Sequence, residues 1–334
     1  MTIPSNHNWA LVLAAGSGKR LSSLTTDVFG ETVPKQFCSF NGSSTLLSRT
    51  LQRAARVVPW SRIVVVVAAE HRRHWEGALP LIPPENLIVQ PQNKGTGIGI
   101  LLPLLHILNR DPDARIVLLP SDHYIEEEST FQAVVARALE SVDEDVTLLG
   151  ITPETVDPEL GYIVAGAPAG FGRSQVARFV EKPSVEIAET LVAAGAQWNS
   201  FVVIAQGHIL LELIAERQPE AVLTLCDPVA ADDPQAVADV YAKLPEVDFS
   251  RDVVAPATTQ IRCMPVPACG WTDLGTPHRV AECLARQAYH TPPRRSIRRH
   301  AAVLDLAEAS RHRQLRAAAL SGPPLSRQLA GEVS

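Results

Sequence analysis

A glycine-rich loop followed by cations lies near the start of the sequence. The apolar run 9–13 predicts a buried strand, which gives way to small residues at 14–18 and then to Lys19 and Arg20. A strand that ends in such a loop exposes backbone N–H groups where an anion can sit, and glycines let that backbone approach a phosphate closely. A third cation, Lys35, follows in the segment Pro-Lys-Gln-Phe. The pattern predicts a site for a nucleoside triphosphate.

Two better-known phosphate-binding loops do not fit this segment. A Walker A loop needs glycine and then serine or threonine where this chain has Leu13 and Arg20. The dinucleotide-binding fingerprint needs glycine or alanine at the position of Leu21. For the loop alone, an ordinary glycine-rich turn with surface cations stays open as the alternative.

Two aspartates follow apolar strands that are far apart in the sequence. Asp122 comes just after the predicted strand 115–119, and Asp273 follows the predicted strand 261–266. A carboxylate past the carboxyl end of a parallel strand faces the crevice where ligands bind in open α/β sheets. Mg²⁺ prefers such oxygen ligands together with substrate phosphates. Asp122 is therefore a candidate metal ligand, and a turn or cap residue is the alternative.

A second glycine-rich turn and an acid–base pair follow later in the chain. Residues 90–100 connect a short predicted strand to a helix, and an ordinary strand-to-helix turn is the alternative for them. Glu181 can accept hydrogen bonds from sugar hydroxyls, while the adjacent Lys182 can pair with a phosphate. A surface ion pair before a helix stays open for these two residues.

The elements that must position these residues follow from hydrophobic periodicity. The β-branched run 63–67 is typical of a parallel strand buried on both faces, and residues 43–58 have helical spacing. Ser129 with Gln132 predicts a capping box for a further helix. The histidines of residues 71–74 are assigned to a solvated helix face, because no carboxylate or third histidine stands nearby at the spacing of a metal ligand.

Composition bounds the class of protein. The chain has 334 residues, a formal net charge of −6 and five cysteines without a C-x-x-C pair. The mild acidity argues against nucleic acid or an anionic membrane surface as a partner, and no apolar run approaches the roughly 20 residues of a membrane helix. Scattered cysteines favour reduced thiols, and no signal peptide is evident. We therefore predict a cytoplasmic protein that binds neither nucleic acid nor membranes.

The motifs resemble the signature of the sugar-phosphate nucleotidyltransferases, in particular the bacterial mannose-1-phosphate guanylyltransferases. The matching positions are Leu13, Gly16, Gly18, Arg20, Leu21, Pro34-Lys35-Gln36-Phe37, Gln90, Pro91, Thr96, Ser121-Asp122-His123, Gly161-Tyr162, 179–183, Trp198-Asn199-Ser200, 247–250 and 270–275. Two places depart from the family: Gly97-Ile98-Gly99 replaces Ala-Pro-Ala, and Phe201 stands where the family has glycine. The resemblance continues through about residue 285 and covers most of the chain.

This resemblance implies a role for each site residue. The implied catalytic residues are Arg20, Lys35 and Lys182. The implied nucleotide-binding residues are Leu13, Ala14, Ala15, Gly16, Ser17, Gly18, Lys19, Gln90, Gly95 and Thr96. The implied sugar-phosphate-binding residues are Gly161, Tyr162, Glu181, Lys182, Asn199 and Asp248. Asp122 and Asp273 are the implied ligands of Mg²⁺ or Mn²⁺, the expected cofactor.

The resemblance also implies a fold and a domain organisation. We expect an α/β protein with a Rossmann-like, GT-A-like nucleotide-diphospho-sugar transferase fold, in which helices flank a mixed, mainly parallel sheet. Residues 1–289 form the predicted nucleotidyltransferase domain, with a nucleotide-binding half at 1–150 and a sugar-phosphate-binding half at 151–289. The Arg- and Ala-rich residues 290–334 are predicted to be helical or partly disordered.

The implied reaction is nucleotidyl transfer from GTP to mannose 1-phosphate, which gives GDP-mannose and pyrophosphate by Mg-assisted in-line attack. One alternative is the same reaction with dTTP or UTP and glucose 1-phosphate. The other is a non-catalytic regulatory paralogue that senses a nucleotide sugar, although a pure sensor has no need of all the implied catalytic and metal-binding residues. The expected partners are small-molecule substrates, and a homodimer is left open.

Overall fold

Apolar runs separated by glycine, proline and polar turns form the strands of one sheet. The computed structural model describes residues 7–26, 30–40 and 44–290. The described strands are β1 (Asn8–Ala14), β2 (Ile63–Ala68), β3 (Leu87–Gln90), β4 (Arg115–Pro120), β5 (Val146–Ile151), β6 (Tyr162–Pro168), β7 (Ser174–Val180), β8 (Gln197–Gln206) and β9 (Ile261–Val266). The described helices are α1 (Ser22–Thr25), α2 (Leu46–Ala54), α3 (Arg72–Trp75), α4 (Gly95–Arg110), α5 (Glu128–Glu140), α6 (Val185–Ala193), α7 (Gly207–Ala215), α8 (Pro219–Ala230), α9 (Pro234–Lys243) and α10 (Pro277–His290).

The sheet order places the ends of distant strands beside one another. The order is β3-β2-β1-β4-β8-β5-β9-β7-β6, with an additional pairing of β6 to β8. Strands β1 to β6 and β9 run in one direction, and β7 and β8 run in the other. The predicted mixed, mainly parallel sheet is confirmed. The carboxyl ends of β1, β3, β4, β5 and β9 consequently meet at one edge of the sheet.

Helices cover both faces of the sheet because successive strand residues point to opposite sides. Along β1, Trp9 and Leu11 pack in one cluster with α4 and α7 to α9, while Ala10 and Val12 pack in the other with α2, α5 and α6. Strand β2 is buried along its whole length, as its β-branched run predicts. At about 25 cal/mol per Å² of apolar surface, these two layers supply the main stabilisation of the fold.

Two local predictions are wrong because distant residues decide the local structure. The capping box predicted at residues 129–132 is absent from the described helix α5, which begins at Glu128 without a side-chain cap. Instead, Arg53 donates hydrogen bonds to both carboxylate oxygens of Glu128, at 2.9 and 2.8 Å. The predicted solvated position is wrong for His71, which is buried with its ring edge-on to Phe37 at 6.5 Å.

The contacts divide the chain into two compact units, one ending at Gly275 and the other beginning at Thr276. The nine described strands and α1 to α9 belong to the first unit. In the second unit, Thr276 caps α10: its carbonyl accepts from Val280 N at 3.1 Å and its hydroxyl from Arg279 N at 3.3 Å. Residues 291–334, nearly all of the predicted tail, lie outside the described residues, and the predicted domain boundaries stay predictions.

None of the described helices combines the length and apolar character that a membrane span requires.

Candidate active site

The first glycine-rich loop is fixed by the segment that carries Lys35. The buried Gln36 side chain donates to the carbonyls of Ala14 and Gly16, at 3.0 and 2.9 Å. Gly18 has a φ of +62°, and a Cβ there would lie 2.9 Å from the backbone nitrogen of Lys35. Glycine is therefore required at this position for both its conformation and its close approach. The predicted loop residues Ala15 and Ser17 lie between these fixed points.

The ends of β1 and β4 are joined directly, so the loop and Asp122 are neighbours. Ser121 donates to the carbonyl of Leu13 through its hydroxyl, at 2.6 Å, and through its backbone nitrogen, at 3.1 Å. Asp122 is the next residue along the chain. The parallel pairing of the two strands explains this contact, since their carboxyl ends share one edge of the sheet.

Lys35 lies between the two predicted metal ligands. Its Nζ is 2.9 Å from Asp122 Oδ2 and also donates to the backbone carbonyl of Asp273. Strands β8 and β5 separate β4 from β9, so the chain after β9 must return across the sheet edge. It does so through an antiparallel bridge in which Tyr124 N donates to Thr272 O at 2.9 Å and Thr272 N to Tyr124 O at 3.0 Å. The structure thus brings Lys35, Asp122 and Asp273 together.

The charges keep the Asp122 carboxylate ionised. Burial opposes ionisation, but the charge of Lys35 outweighs it and, with that of His123 when its ring is protonated at low pH, lowers the pKa of Asp122 to about 2. The His123 ring lies edge-on to Trp271, with centroids 5.1 Å apart, and burial lowers the pKa of His123. A neutral histidine beside an ionised carboxylate leaves Lys35 as the fixed positive charge at this point of the sheet edge.

The donor set at this edge fits a magnesium ion held partly by substrate. No group of three or more His, Cys, Asp or Glu side chains within the described residues is arranged to hold a metal alone. Mg²⁺, however, is usually held by one or two carboxylates plus substrate phosphates. Asp122 is ionised, and Asp273 Oδ1 accepts from Gly275 N at 3.0 Å, which orients that carboxylate. Two oriented carboxylates beside a phosphate-sized glycine loop match this chemistry.

The second glycine-rich turn is packed against residues 247–249. Gly97 N donates to the Val247 carbonyl at 2.8 Å, and a Cβ on Gly97 would lie 2.5 Å from Val247 Cγ1. A Cβ on Gly95 would lie 2.3 Å from the same carbonyl oxygen, and the φ of Gly95 is +78°. The hydroxyl of Thr96 accepts from Phe249 N at 2.8 Å. Val247 therefore occupies the space that a side chain at position 97 would need, which accounts for one departure from the family motif.

Gln90 ends β3 at the same edge of the sheet. Its side chain is buried, and its Oε1 has no hydrogen-bond partner among the residues that the structure describes. A Cβ on Gly99 would lie 3.3 Å from this oxygen, so the glycine leaves room beside it. A buried acceptor without a donor is costly unless a ligand or water completes it.

The predicted sugar-side residues form a separate group around Gly161. The Gly161 carbonyl accepts from Asn199 N at 2.8 Å, and a Cβ on Gly161 would lie 2.6 Å from Glu181 Oε2. Lys182 Nζ is 3.6 Å from Glu181 Oε1. Burial raises the pKa of Glu181, with Lys182 opposing the shift and the negative charge of Asp248 adding to it.

Tyr162 takes a supporting place next to this group. Its side chain is fully buried, and its hydroxyl donates to the Asp157 carbonyl and accepts from Asp157 N, both at 3.0 Å. The phenol therefore holds the loop that precedes β6, while the residue itself is paired with Val180 and Trp198 in the sheet.

Phe201 occupies a backbone conformation that suits glycine. Its φ is +59°, and its backbone nitrogen donates to Asn199 Oδ1 at 3.1 Å. Left-handed backbone costs a residue with a side chain roughly 1–2 kcal/mol, which is consistent with the glycine that the resembling family motif has at this place. The Phe201 ring lies 6.0 Å from the Phe249 ring, so it joins the sugar side to the segment that packs on the second glycine turn.

Arg20 pairs with Glu159, a residue of the predicted sugar-phosphate-binding half. Its Nη1 donates to Glu159 Oε2 at 2.9 Å, and the two side chains are 56% and 52% exposed. Lys19 begins the short turn Lys19–Leu21 that carries Arg20. Sequence reasoning missed Gln36, His123 and Glu159; the first two stand inside predicted motifs, but nothing in the sequence pointed to Glu159.

Comparisons with known proteins identify the family of the chain. The profile of a family described as Nucleotidyl transferase matches residues 9–288. The xanthan biosynthesis protein XanB of Xanthomonas campestris pv. campestris strain B100 is 32% identical over 278 residues, which cover 80% of this chain and 57% of XanB. The mannose-1-phosphate guanylyltransferase of Escherichia coli K12 is 29% identical over 302 residues, which cover 84% of this chain and 60% of that protein. The chain thus matches little more than half the length of these curated relatives.

Solved structures share the fold. The crystal structure titled mannose-1-phosphate geranyltransferase, from Thermus thermophilus, superposes with a TM-score of 0.74 and 26% identity, covering 84% of this chain and 79% of that one. A UDP-glucose pyrophosphorylase complexed with UDP-glucose superposes with a TM-score of 0.54 at 14% identity, covering 85% and 99%, which supports the fold alone. The nucleotide-diphospho-sugar transferase fold is confirmed. From its profile match and its sheet-edge arrangement, the chain belongs to the nucleotidyl transferase family.

Proposed function

We propose that the chain transfers a nucleotidyl group from a nucleoside triphosphate to a sugar 1-phosphate, with GTP and mannose 1-phosphate as the expected pair. The observation that carries this proposal is the contact of Lys35 with Asp122 and with the Asp273 carbonyl, directly beside the glycine loop. The names of the relatives from Escherichia coli and Vibrio cholerae, at 29% and 27% identity, favour the guanylyl reaction.

The proposed reaction needs no protein nucleophile. An oxygen of the sugar 1-phosphate, already ionised at neutral pH, attacks the α-phosphorus of the triphosphate in line. The new bond joins that oxygen to the α-phosphorus, and the bond between the α-phosphorus and the bridging oxygen breaks, so that pyrophosphate leaves with the electron pair. Catalysis is then positioning plus stabilisation of negative charge, which suits a site built from cations and backbone N–H groups.

Each part of the site has a proposed task. The glycine loop and Thr96 bind the nucleotide, and Lys35 neutralises charge on the reacting phosphate. Arg20 binds the triphosphate once it leaves Glu159, and Lys182 pairs with the phosphate of the sugar. Asp122 and Asp273 would hold Mg²⁺ or Mn²⁺, which supplies a Lewis acid for the phosphate oxygens when bound.

Two residues bear on the choice of substrates. The buried acceptor of Gln90 suits an N–H donor of the base, which supports a base contact at the carboxyl end of β3. Phe201 places a ring where the resembling family motif has glycine, and we propose that it narrows the sugar side of the site. The alternative pairs dTTP or UTP with glucose 1-phosphate therefore belong in the test.

The test is a pyrophosphate-release screen. Purified chain is incubated with each of GTP, ATP, UTP, CTP and dTTP against mannose 1-phosphate and glucose 1-phosphate, with Mg²⁺, with Mn²⁺ and with a chelator. We expect release with GTP and mannose 1-phosphate only when a metal is present, and a GDP-sugar identified by mass spectrometry. Release with another pair would replace the substrates, while no release from any pair, despite nucleotide binding, would favour a non-catalytic regulator.

A further inference from the structure

A cationic cavity lies beside helix α2, and none of its lining residues belongs to the candidate active site. It has a volume of about 240 Å³. The residues that line it are Ser44, Arg49, Gln52, Arg53, Arg56 and Glu128. The arginines recur at three- and four-residue spacing, so they face the same side of the helix and the turn that follows it. Three guanidinium groups and one carboxylate leave the lining positively charged.

One of these arginines already has its partners. Arg53 is buried, donates to both carboxylate oxygens of Glu128 at 2.9 and 2.8 Å, and donates from Nη1 to the Thr50 hydroxyl at 3.2 Å. Its guanidinium also lies 5.7 Å from the Phe131 ring centroid. Glu128 is therefore engaged by Arg53 in a bidentate pair and does not neutralise the other two arginines.

Arg49 and Arg56 lack such partners. Within the described residues, no hydrogen bond or ion pair involves either guanidinium group. Arg49 lies over the ring of Tyr124, with 4.6 Å from Cζ to the centroid, which holds its position without satisfying its N–H donors. Arg56 and Gln52 are exposed at the mouth of the cavity. The cavity thus presents two cations, with which no carboxylate of the described residues forms an ion pair, together with polar side chains.

We propose that this cavity is a binding site for a small phosphate anion, either orthophosphate or pyrophosphate. Arginine forks match phosphate oxygens, and Gln52 and Ser44 add neutral donors. Pockets for drug-sized ligands measure about 300–1,000 Å³, so a cavity of about 240 Å³ suits a small anion better than a whole nucleotide sugar. The carboxyl end of α2 opposes an anion through its dipole, but that effect is smaller than a charge-assisted hydrogen bond to arginine.

The first test measures, in the wild-type protein, how strongly an anion protects each arginine from chemical modification. The chain is treated with phenylglyoxal, which modifies accessible guanidinium groups, and modified arginines are quantified by peptide mass spectrometry. Arg72, an exposed arginine paired with Glu76 on α3, is the control in the same sample. We expect phosphate or pyrophosphate to slow modification of Arg49 and Arg56 in a saturable way, while sodium chloride of equal ionic strength does not. Equal modification of these two arginines in all three salts would overturn the proposal.

The second test uses calorimetry and separates the two sources of the anion. Arg56→Gln should weaken binding of the preferred anion roughly tenfold to a hundredfold, because hydrogen bonds to charged groups contribute that much. The double variant Arg49→Gln, Arg56→Gln should bind one anion fewer per chain than the wild type, whether or not pyrophosphate also binds the candidate active site. The control Arg72→Gln should bind as many anions as the wild type. If the site binds pyrophosphate more tightly than orthophosphate, pyrophosphate is the ligand. If the two anions bind equally, the site recognises a single phosphate group. The same number of sites in the double variant and the wild type would refute the site while leaving the proposed function untouched.

Discussion

At the scale of single residues, Lys35 organises the site through three contacts. Its backbone fills the space next to Gly18, and its ammonium group touches the Asp122 carboxylate and the Asp273 carbonyl. The Lys35 cation thus contacts two aspartates that are far apart in the sequence. It also lies beside the loop where a phosphate would bind. Removal of any partner should therefore affect chemistry more than folding.

The two aspartates provide the sharpest test of this view. Asp122→Asn and Asp273→Asn each keep the side-chain size but remove the negative charge that would hold a metal. We expect each variant to lower kcat by on the order of 10²-fold or more, since charge stabilisation dominates such reactions. Circular dichroism should match the wild type, and the stability that Asp122→Asn loses with its Lys35 ion pair should still leave the chain folded at the assay temperature. Near-normal turnover with Mg²⁺ in either variant would remove that residue from the metal site.

The pair of Arg20 and Glu159 predicts a competition between the protein and its substrate. Glu159→Gln should free Arg20 and lower KM for the triphosphate by up to about fivefold, because an exposed ion pair contributes at most about 1 kcal/mol. Arg20→Gln should raise KM, and in that background Glu159→Gln should have no further effect. Steady-state kinetics measures all three, with Glu186→Gln on α6 as an exposed control. An effect of Glu159→Gln that persists without Arg20 would contradict the competition.

At the scale of elements, local sequence predicted what local forces decide. The apolar runs became β1, β2, β4, β5 and β9, and glycine turns followed β1 and β3, because burial and turn chemistry act within a few residues. The capping box failed because Arg53 fixes Glu128 from a distant helix. The contact of Val247 with the second glycine turn could not be predicted from local sequence either, since it joins residues about 150 positions apart.

That contact between Gly97 and Val247 can be tested by a double-mutant cycle. Gly97→Ala gains helix propensity but forces a Cβ to within 2.5 Å of Val247 Cγ1, so we expect a net loss of about 1–3 kcal/mol in the free energy of unfolding. In the Val247→Ala background the loss should shrink by about 0.5 kcal/mol or more. Urea unfolding measures each variant, with Gly166→Ala, where an added Cβ meets only ordinary contacts of 3.4 Å and beyond, as the control. Additive effects would show that the two positions do not clash.

At the scale of the whole molecule, the sheet separates stability from chemistry. The candidate site lies at the carboxyl ends of the parallel strands, whereas Asp111 lies near the amino ends of β1 and β4. Asp111 Oδ2 accepts from Trp9 Nε1 at 2.7 Å and from Arg62 Nη1 at 3.0 Å, and Oδ1 lies 2.7 Å from His7 Nδ1. The Trp9 ring is covered by Arg62, at 5.1 Å. One buried carboxylate thus ties together the chain segments that enter β1, β2 and β4.

This separation predicts that two similar substitutions differ in their effect on turnover. Asp111→Asn should lower the free energy of unfolding by about 2–4 kcal/mol, because it weakens charge-assisted hydrogen bonds in a buried cluster, yet leave kcat unchanged at 25 °C. Asp122→Asn should lower kcat, and it should also lower stability, because the buried Lys35 loses its charged partner. Burial opposes ionisation of Asp111, but Trp9, His7 and Arg62 outweigh it and lower the pKa of its carboxyl. Its contribution is therefore present above the ordinary pKa of an aspartate and is lost as the pH falls through the lowered value.

Urea unfolding between pH 7 and pH 3, with turnover measured in parallel, distinguishes the two ends of the sheet. The difference in stability between wild type and Asp111→Asn should be constant near neutral pH and shrink at the acid end, where the wild-type carboxyl takes up its proton. Asp113→Asn, an exposed neighbour, should change neither stability nor turnover. A fall in kcat caused by Asp111→Asn at unchanged fold content would show that the amino end of the sheet also shapes the site, because strain would then pass along β1 and β4 from one edge to the other.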